Sequence, residues 1–282
     1  MTASKSGSDH QAVLNWGRDR LRDLPWRAVR DPWWILISEV MSQQTTISRV
    51  VDRWQICVTR YPTPADLAAA PLGDRLRLWE GLGYPRRARN LHAAAGVILS
   101  EHDGQVPDDL DALLALPGVG PYTARAVLAF AFERDVGVVD ANTARVFARV
   151  SGHRLTPTQA QVLADQWVPM GEGWAWNQIL MDLGNALCRP VPRCEHCPIA
   201  ERCAWNLAGR AEPDPATGSA GVSKPQARFE GSMRQQRGQV LKQVARTVMT
   251  RSELGVDDHV IDSLIADGLL SEDQGLLQLP GR

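Results

Sequence analysis

Apolar residues recur at helical spacing along most of this chain, and the pattern predicts an all-α fold. Val13, Leu14, Trp16 and Leu21 predict a first helix over 10–22, ended by Leu24-Pro25, with residues 1–9 read as disordered. Asp31-Pro32, an N-cap with proline at the first helical position, opens Trp33 to Met41, where seven of nine residues are apolar. A helix so composed is buried nearly all round. Helices of about a dozen residues are predicted from Ile47 to Ser100, with turns at 61–64 and 81–85. Leu110, Leu113, Leu114 and Leu116 form a helix that Pro117-Gly118-Val119-Gly120 breaks, and Pro121 opens the next. Further helices are predicted over 143–150, 157–168 and 174–187. The stretch 207–228, rich in Ala, Gly, Pro and Ser, reads as a flexible linker. Beyond it, helices over 235–249 and 257–267 and a hairpin around Asp273-Gln274-Gly275 suggest a small winged-helix-like module over 229–282.

Charge narrows what the chain can do. Its 282 residues carry 31 basic and 32 acidic side chains, a net charge of −1. No global field draws it to nucleic acid, so such binding must rest on local basic patches and backbone amides. Apolar content of 44% is ordinary for a soluble domain, no apolar run has the length of a bilayer span, and residues 1–10 lack a signal-peptide core. A cytoplasmic protein is expected. Cys57 reads as a small buried residue, whereas Cys188, Cys194, Cys197 and Cys203 crowd into sixteen positions. In a cytoplasmic chain that argues for a metal or cluster over disulfides. Tetrahedral sulfur ligation serves zinc and an iron–sulfur cluster alike, and bare composition favours zinc as the commoner ion.

Three further patterns carry candidate chemistry. Glu39 is the single carboxylate of the apolar run, where burial raises a carboxyl's pKa and suits it to donate a proton at neutral pH. Two glycines around Val119, ahead of a helix N-terminus, leave amides bare for a phosphate. Gly81-Leu82-Gly83-Tyr84, followed by Arg86, Arg87 and Arg89, sets an aromatic ring beside guanidinium groups, a combination suited to bases and phosphates. Asp140 reads as an N-cap; an ionised carboxylate fixed there, with Asn142 to orient it, can also stabilise a developing cation.

Leu116-Pro117-Gly118-Val119-Gly120 followed by Val139-Asp140-Ala141-Asn142 resembles the helix-hairpin-helix and Gly-Pro-Asp elements of the endonuclease III superfamily of DNA glycosylases. Ser38–Thr45, Leu24-Pro25-Trp26-Arg27, Gly81–Asn90 and the cysteine loop, in that superfamily's order along the chain, are most similar to its adenine-specific mismatch glycosylases. The resemblance covers roughly residues 8–206 and implies two helical subdomains, one carrying the hairpin and one a cysteine loop over 188–203. It implies removal of adenine opposite 8-oxoguanine or guanine in double-stranded DNA, by a chain expected to act as a monomer.

On this resemblance Glu39 protonates the leaving base, Asp140 stabilises the sugar, and Gly118, Val119 and Gly120 grip a phosphate, with a monovalent cation allowed there. Arg27, Gln44, Thr45, Leu82, Tyr84 and Arg86 would meet substrate or DNA, and Asp182 would be a further active-site acid. Ser42 departs from the family's leucine. Cys188-x5-Cys194-x2-Cys197-x5-Cys203 resembles the [4Fe–4S] loop, with a first gap of five where six is usual. Tyr122 stands where lyase-competent relatives carry lysine, which implies a monofunctional enzyme. Thymine or uracil mismatch glycosylases share the hairpin tyrosine and Asp-Ala-Asn; the Glu39 segment argues against them. A catalytically silent DNA-binding protein and a zinc-bound module are the remaining alternatives. The tail is too short for the large domain that reads 8-oxoguanine in many relatives.

Overall fold

The computed structural model describes residues 3–219, 221–222 and 228–281, with side chains from residue 8 onward. Within them the chain is helical apart from one antiparallel hairpin, in which Ser271–Asp273 pairs with Leu276–Gln278. No described helix is long and apolar enough to cross a membrane. Two compact units form, Met1–Arg30 with Pro121–Pro225, and Asp31–Gly120 with Gln226–Arg282. The ranges 8–206 and 229–282 cut across this division, because the C-terminal segment shares a unit with residues 31–120.

The first unit is built on the helix Gly173–Ala186, which buries Trp176, Ile179, Leu180 and Leu183 and packs on the helices Ala3–Gly17 and Ala141–Ser151. Gly184 permits the close approach: a Cβ there would stand 2.8 Å from that of Asn142. The first helix begins at Ala3 and ends at Gly17, displaced from the expected 10–22. Asp9, which carries no apolar signal, is buried and pairs with Arg202 at 3.4 Å, so a tertiary contact holds the early turns.

The expected linker is also corrected over its described part. Asp214 pairs with Arg149 at 2.6 Å, Ala216 is buried, and Ser219 accepts from the Leu155 amide at 3.0 Å. Small residues that read as flexible fill a gap on the unit's surface. Residues 220 and 223–227 of that range lie outside the described residues.

In the second unit the helix Pro32–Ser42 packs on Ile47–Arg60 and Arg86–Glu101. Its C-terminal segment holds the two expected helices, now Met233–Val244 and Asp258–Ala266, and the hairpin, with an unexpected short helix Arg251–Leu254 between the two helices. Met249 and Leu277 exchange backbone hydrogen bonds, which ties the hairpin to the helices. The segment docks on its own unit: Gly73 N donates to Pro280 O at 2.9 Å, and Arg77 Nε to Ala245 O at 3.1 Å.

Candidate active site

Glu39 lies where the apolar pattern puts it. Asp31 caps its helix by accepting from Trp34 N, and Leu36, Ile37, Ser38, Val40 and Met41 beside it are all buried. Glu39 itself is 6% exposed.

The helix ends in a loop whose Gln44 is exposed and adopts the left-handed backbone, with φ of 54°. Thr45 donates to Leu82 O at 2.8 Å, joining this loop to the turn Gly81–Tyr84. Arg87 is buried and donates to Val40 O, Met41 O, Leu82 O and Gly83 O and to the Thr45 hydroxyl, all within 2.7–3.0 Å. Burial pushes its guanidinium down to about 10, so it remains charged at neutral pH. Both loops, with Gln44 on one and Tyr84 on the other, are thus bolted to one internal cation. Leu82 is 3% exposed and faces inward, and Tyr84 is half-buried. Arg86 donates from Nε to Asp267 Oδ2 at 2.6 Å, and Arg89 donates to the Asp267 carbonyl. The three guanidinium groups of this stretch therefore meet acceptors of their own unit; the Arg86 side chain, 63% exposed, stays at the surface.

Gly118 and Gly120 differ in role. Gly118 has φ of +80°, and a Cβ on it would fall 2.7 Å from that of Asn90, so the position admits glycine alone. Gly120 has open space where its side chain would be, which leaves its backbone approachable. Val119 is buried and its amide closes the turn on Leu116 O at 3.1 Å. The next residue, Pro121, opens the helix Pro121–Phe130, with Tyr122 half-buried in its first turn.

Asp140 caps the helix Ala141–Ser151. Its Oδ1 accepts from the amides of Asn142 and Thr143 at 2.9 and 2.7 Å, and its Oδ2 from the Asn142 side chain at 2.8 Å. Thr143 closes the capping box by accepting from Asp140 N. The carboxylate is held in one orientation by three donors. Asn142 is fixed in turn, since its Oδ1 accepts from Arg145 at 2.9 Å, and Arg145 also donates to the carbonyls of Gly184 and Cys188. A continuous hydrogen-bonded path thus runs from Asp140 to the backbone of the first loop cysteine.

Asp182 and Arg27 meet each other. Arg27 donates to Asp182 at 2.7 and 3.1 Å, and Arg22 donates from its backbone N and its Nε at 2.9 and 2.6 Å. Burial would raise this carboxyl, which is 3% exposed, but the hydrogen bonds from Arg27 and Arg22 prevail and hold it below the usual range. The pair fastens the segment around Arg27 to the helix Gly173–Ala186.

All four loop cysteines line one cavity, together with Arg149, Val150, Leu183 and Trp205 among others. Among the described residues no group of three or more His, Cys, Asp or Glu side chains is placed to hold a single ion. Burial pushes the Cys197 thiol up to about 11. Arg149, 1% exposed, braces the loop: it contacts Cys188 Sγ at 3.4 Å, donates to Arg189 O and Pro190 O, pairs with Asp214 and stacks on Trp205. Arg189 and Arg193 stay exposed on its surface.

Residues 37–171, which include Glu39, the hairpin and Asp140, match the model of the HhH-GPD superfamily of base excision DNA repair proteins. The adenine DNA glycosylase of Mycobacterium tuberculosis is 41% identical over 290 residues, spanning 95% of this chain and 92% of that one. A thermostable thymine-DNA glycosylase structure is 30% identical with a TM-score of 0.67, covering 73% of this chain and 98% of its own. Endonuclease III trapped as a covalent DNA intermediate is 26% identical with a TM-score of 0.65, covering 75% and 100%. The fold and site thus define a helix-hairpin-helix base excision repair protein. Within that superfamily, the chain belongs to the adenine DNA glycosylase family.

Proposed function

We propose that the chain is a monofunctional glycosylase that hydrolyses the N-glycosidic bond of adenine opposite 8-oxoguanine or guanine in duplex DNA. The observation that carries this reading is Glu39, a carboxyl buried among apolar neighbours in the segment that the sequence likens to adenine-specific enzymes. The adenine must leave the stack to be reached. Glu39 then gives its proton to a ring nitrogen as the bond to the sugar breaks and the bonding electrons pass to the base. The Asp140 carboxylate, fixed by its three donors, stabilises the cationic sugar. Water adds to that carbon and returns a proton to Glu39. Backbone amides of the hairpin, that of Gly120 among them, hold a phosphate of the same strand, with a monovalent cation allowed beside them.

Cys188, Cys194, Cys197 and Cys203 are the residues that would hold a [4Fe–4S] cluster, whose iron–thiolate bonds would cross-link their loop. Action as a cytoplasmic monomer completes the reading.

The test is a panel of duplexes carrying adenine opposite 8-oxoguanine, adenine opposite guanine, and thymine opposite guanine. Free adenine from the first two supports the reading, and release of thymine alone contradicts it. Borohydride should trap no covalent adduct, because Tyr122 offers no amine for a Schiff base. High-yield trapping would refute the monofunctional assignment.

A further inference from the structure

The hydroxyl of Tyr84, at the tip of the turn Gly81–Tyr84, is held by a residue 150 positions away along the chain. Arg234, in the first turn of the helix Met233–Val244, donates to the Tyr84 hydroxyl at 2.9 Å. Its guanidinium carbon stands 5.8 Å from the Tyr84 ring centre and 5.2 Å from that of Phe229. The turn's backbone is fastened from within by Arg87 and by Trp79 Nε1, which donates to Gly83 O at 3.0 Å. On one side the turn has no packed floor, because a cavity lined by Trp79, Gly81, Gly83, Pro85, Leu241 and Lys242 lies there. Tyr84 itself has φ of 46°, a conformation that a bulky side chain adopts only when its surroundings impose it.

Elsewhere the C-terminal segment is a poor reader of DNA. Its helix Asp258–Ala266 begins with Asp257 and Asp258 and carries Asp262, and its hairpin carries Glu272 and Asp273. Arg251, the cation among them, pairs with Asp258, Asp262 and Glu272 at 3.2, 2.8 and 2.7 Å. Such a face repels phosphate. The basic residues of the helix Met233–Val244 instead meet residues 80–86 or the acid that binds them: Arg237 joins Arg86 on Asp267, and Lys242 lies 3.7 Å from Glu80.

We propose that Arg234 is a positioning residue for recognition of the base opposite the excised adenine. It fixes the Tyr84 ring, so the C-terminal segment sets selectivity through its own unit without touching the bases. This rests on the proposed glycosylase function and on the family resemblance, which implies that Tyr84 packs beside the opposite base.

The experiment compares single-turnover adenine release from duplexes with 8-oxoguanine or guanine opposite, for the wild type, Arg234→Ala, Arg234→Lys, Tyr84→Phe and the Arg234→Ala/Tyr84→Phe pair. Each of Arg234→Ala and Tyr84→Phe should lower the ratio of the two rates by roughly 5–20-fold, the scale of one charge-assisted hydrogen bond. The double variant should lose no more than the larger single loss, because the hydrogen bond that Tyr84→Phe removes is already gone in Arg234→Ala. Arg234→Lys, which keeps a donor, should recover part of the ratio, as a purely structural role would not require. Tyr84→Phe deletes one oxygen and keeps the ring, so it reads the bond even where Arg234→Ala loosens the docking. An unchanged ratio in Tyr84→Phe, losses that multiply in the double variant, or a wild-type ratio near one would overturn the proposal. Absence of adenine release by the wild type from either duplex would overturn the functional reading itself, and this proposal with it.

Discussion

Glu39→Gln is expected to slow single-turnover adenine release by roughly 10²–10⁴-fold, the range that a positioned general acid contributes. The amide fills nearly the same space among Ile35, Leu36, Val40 and Met41, so the helix and its packing persist. Affinity for the mismatched duplex should therefore survive, and that combination separates a lost proton donor from a lost fold. Asp140→Asn makes the companion case. Asparagine caps a helix about as well as aspartate does, so the amides of Asn142 and Thr143 keep their acceptor. What goes is the negative charge that the proposed mechanism sets against the sugar, and the rate should fall by a comparable factor. Single-turnover rates near wild type for either variant would remove that residue from the mechanism.

The second large effect concerns stability. Asp182→Ala should destabilise the protein by about 3–5 kcal/mol at neutral pH, because Arg27 is left buried without its counter-charge. The pH dependence has a fixed sign. A carboxyl held below its ordinary value of 3.8 in the folded state contributes stability that is complete above that value. This contribution is lost as the pH falls from about 4 through the lower folded value. The difference between wild type and Asp182→Ala, measured by denaturant unfolding, should be greatest near neutrality and shrink in acid. A difference below about 1 kcal/mol at pH 7 would place the pair in the class of solvated surface bridges.

These two cases show what the sequence displays and what it hides. Glu39 is legible because one carboxylate interrupts a continuous apolar run, and Asp140 because it precedes a strongly amphipathic helix. The C-terminal helices and hairpin are legible for the same reason of spacing. Arg27 and Asp182 each resemble family positions, but nothing in one dimension shows that they neutralise each other across 155 residues. By composition Arg87 belongs with Arg86 and Arg89 in one basic cluster. Its register with Leu91, Ala94 and Ile98 places it on the buried face, a signal that charge composition obscures. Arg149 likewise follows Val146 and Phe147 on the inner side of its helix, where an arginine must find partners. The linker reading failed because Ala, Pro, Gly and Ser look alike in a free tether and in a packed strap. The pairing of Arg234 with Tyr84 depends on the docking of a distant segment, which no local pattern encodes.

The most direct measurement is the structure of the protein bound to a duplex carrying a non-hydrolysable adenosine analogue opposite 8-oxoguanine. One flipped nucleoside should be engaged by both acids, with Glu39 within about 2.6–3.2 Å of a ring nitrogen of the base and Asp140 facing the carbon that bore it. A bound nucleoside that meets only one of these carboxyls, or neither, would contradict the account.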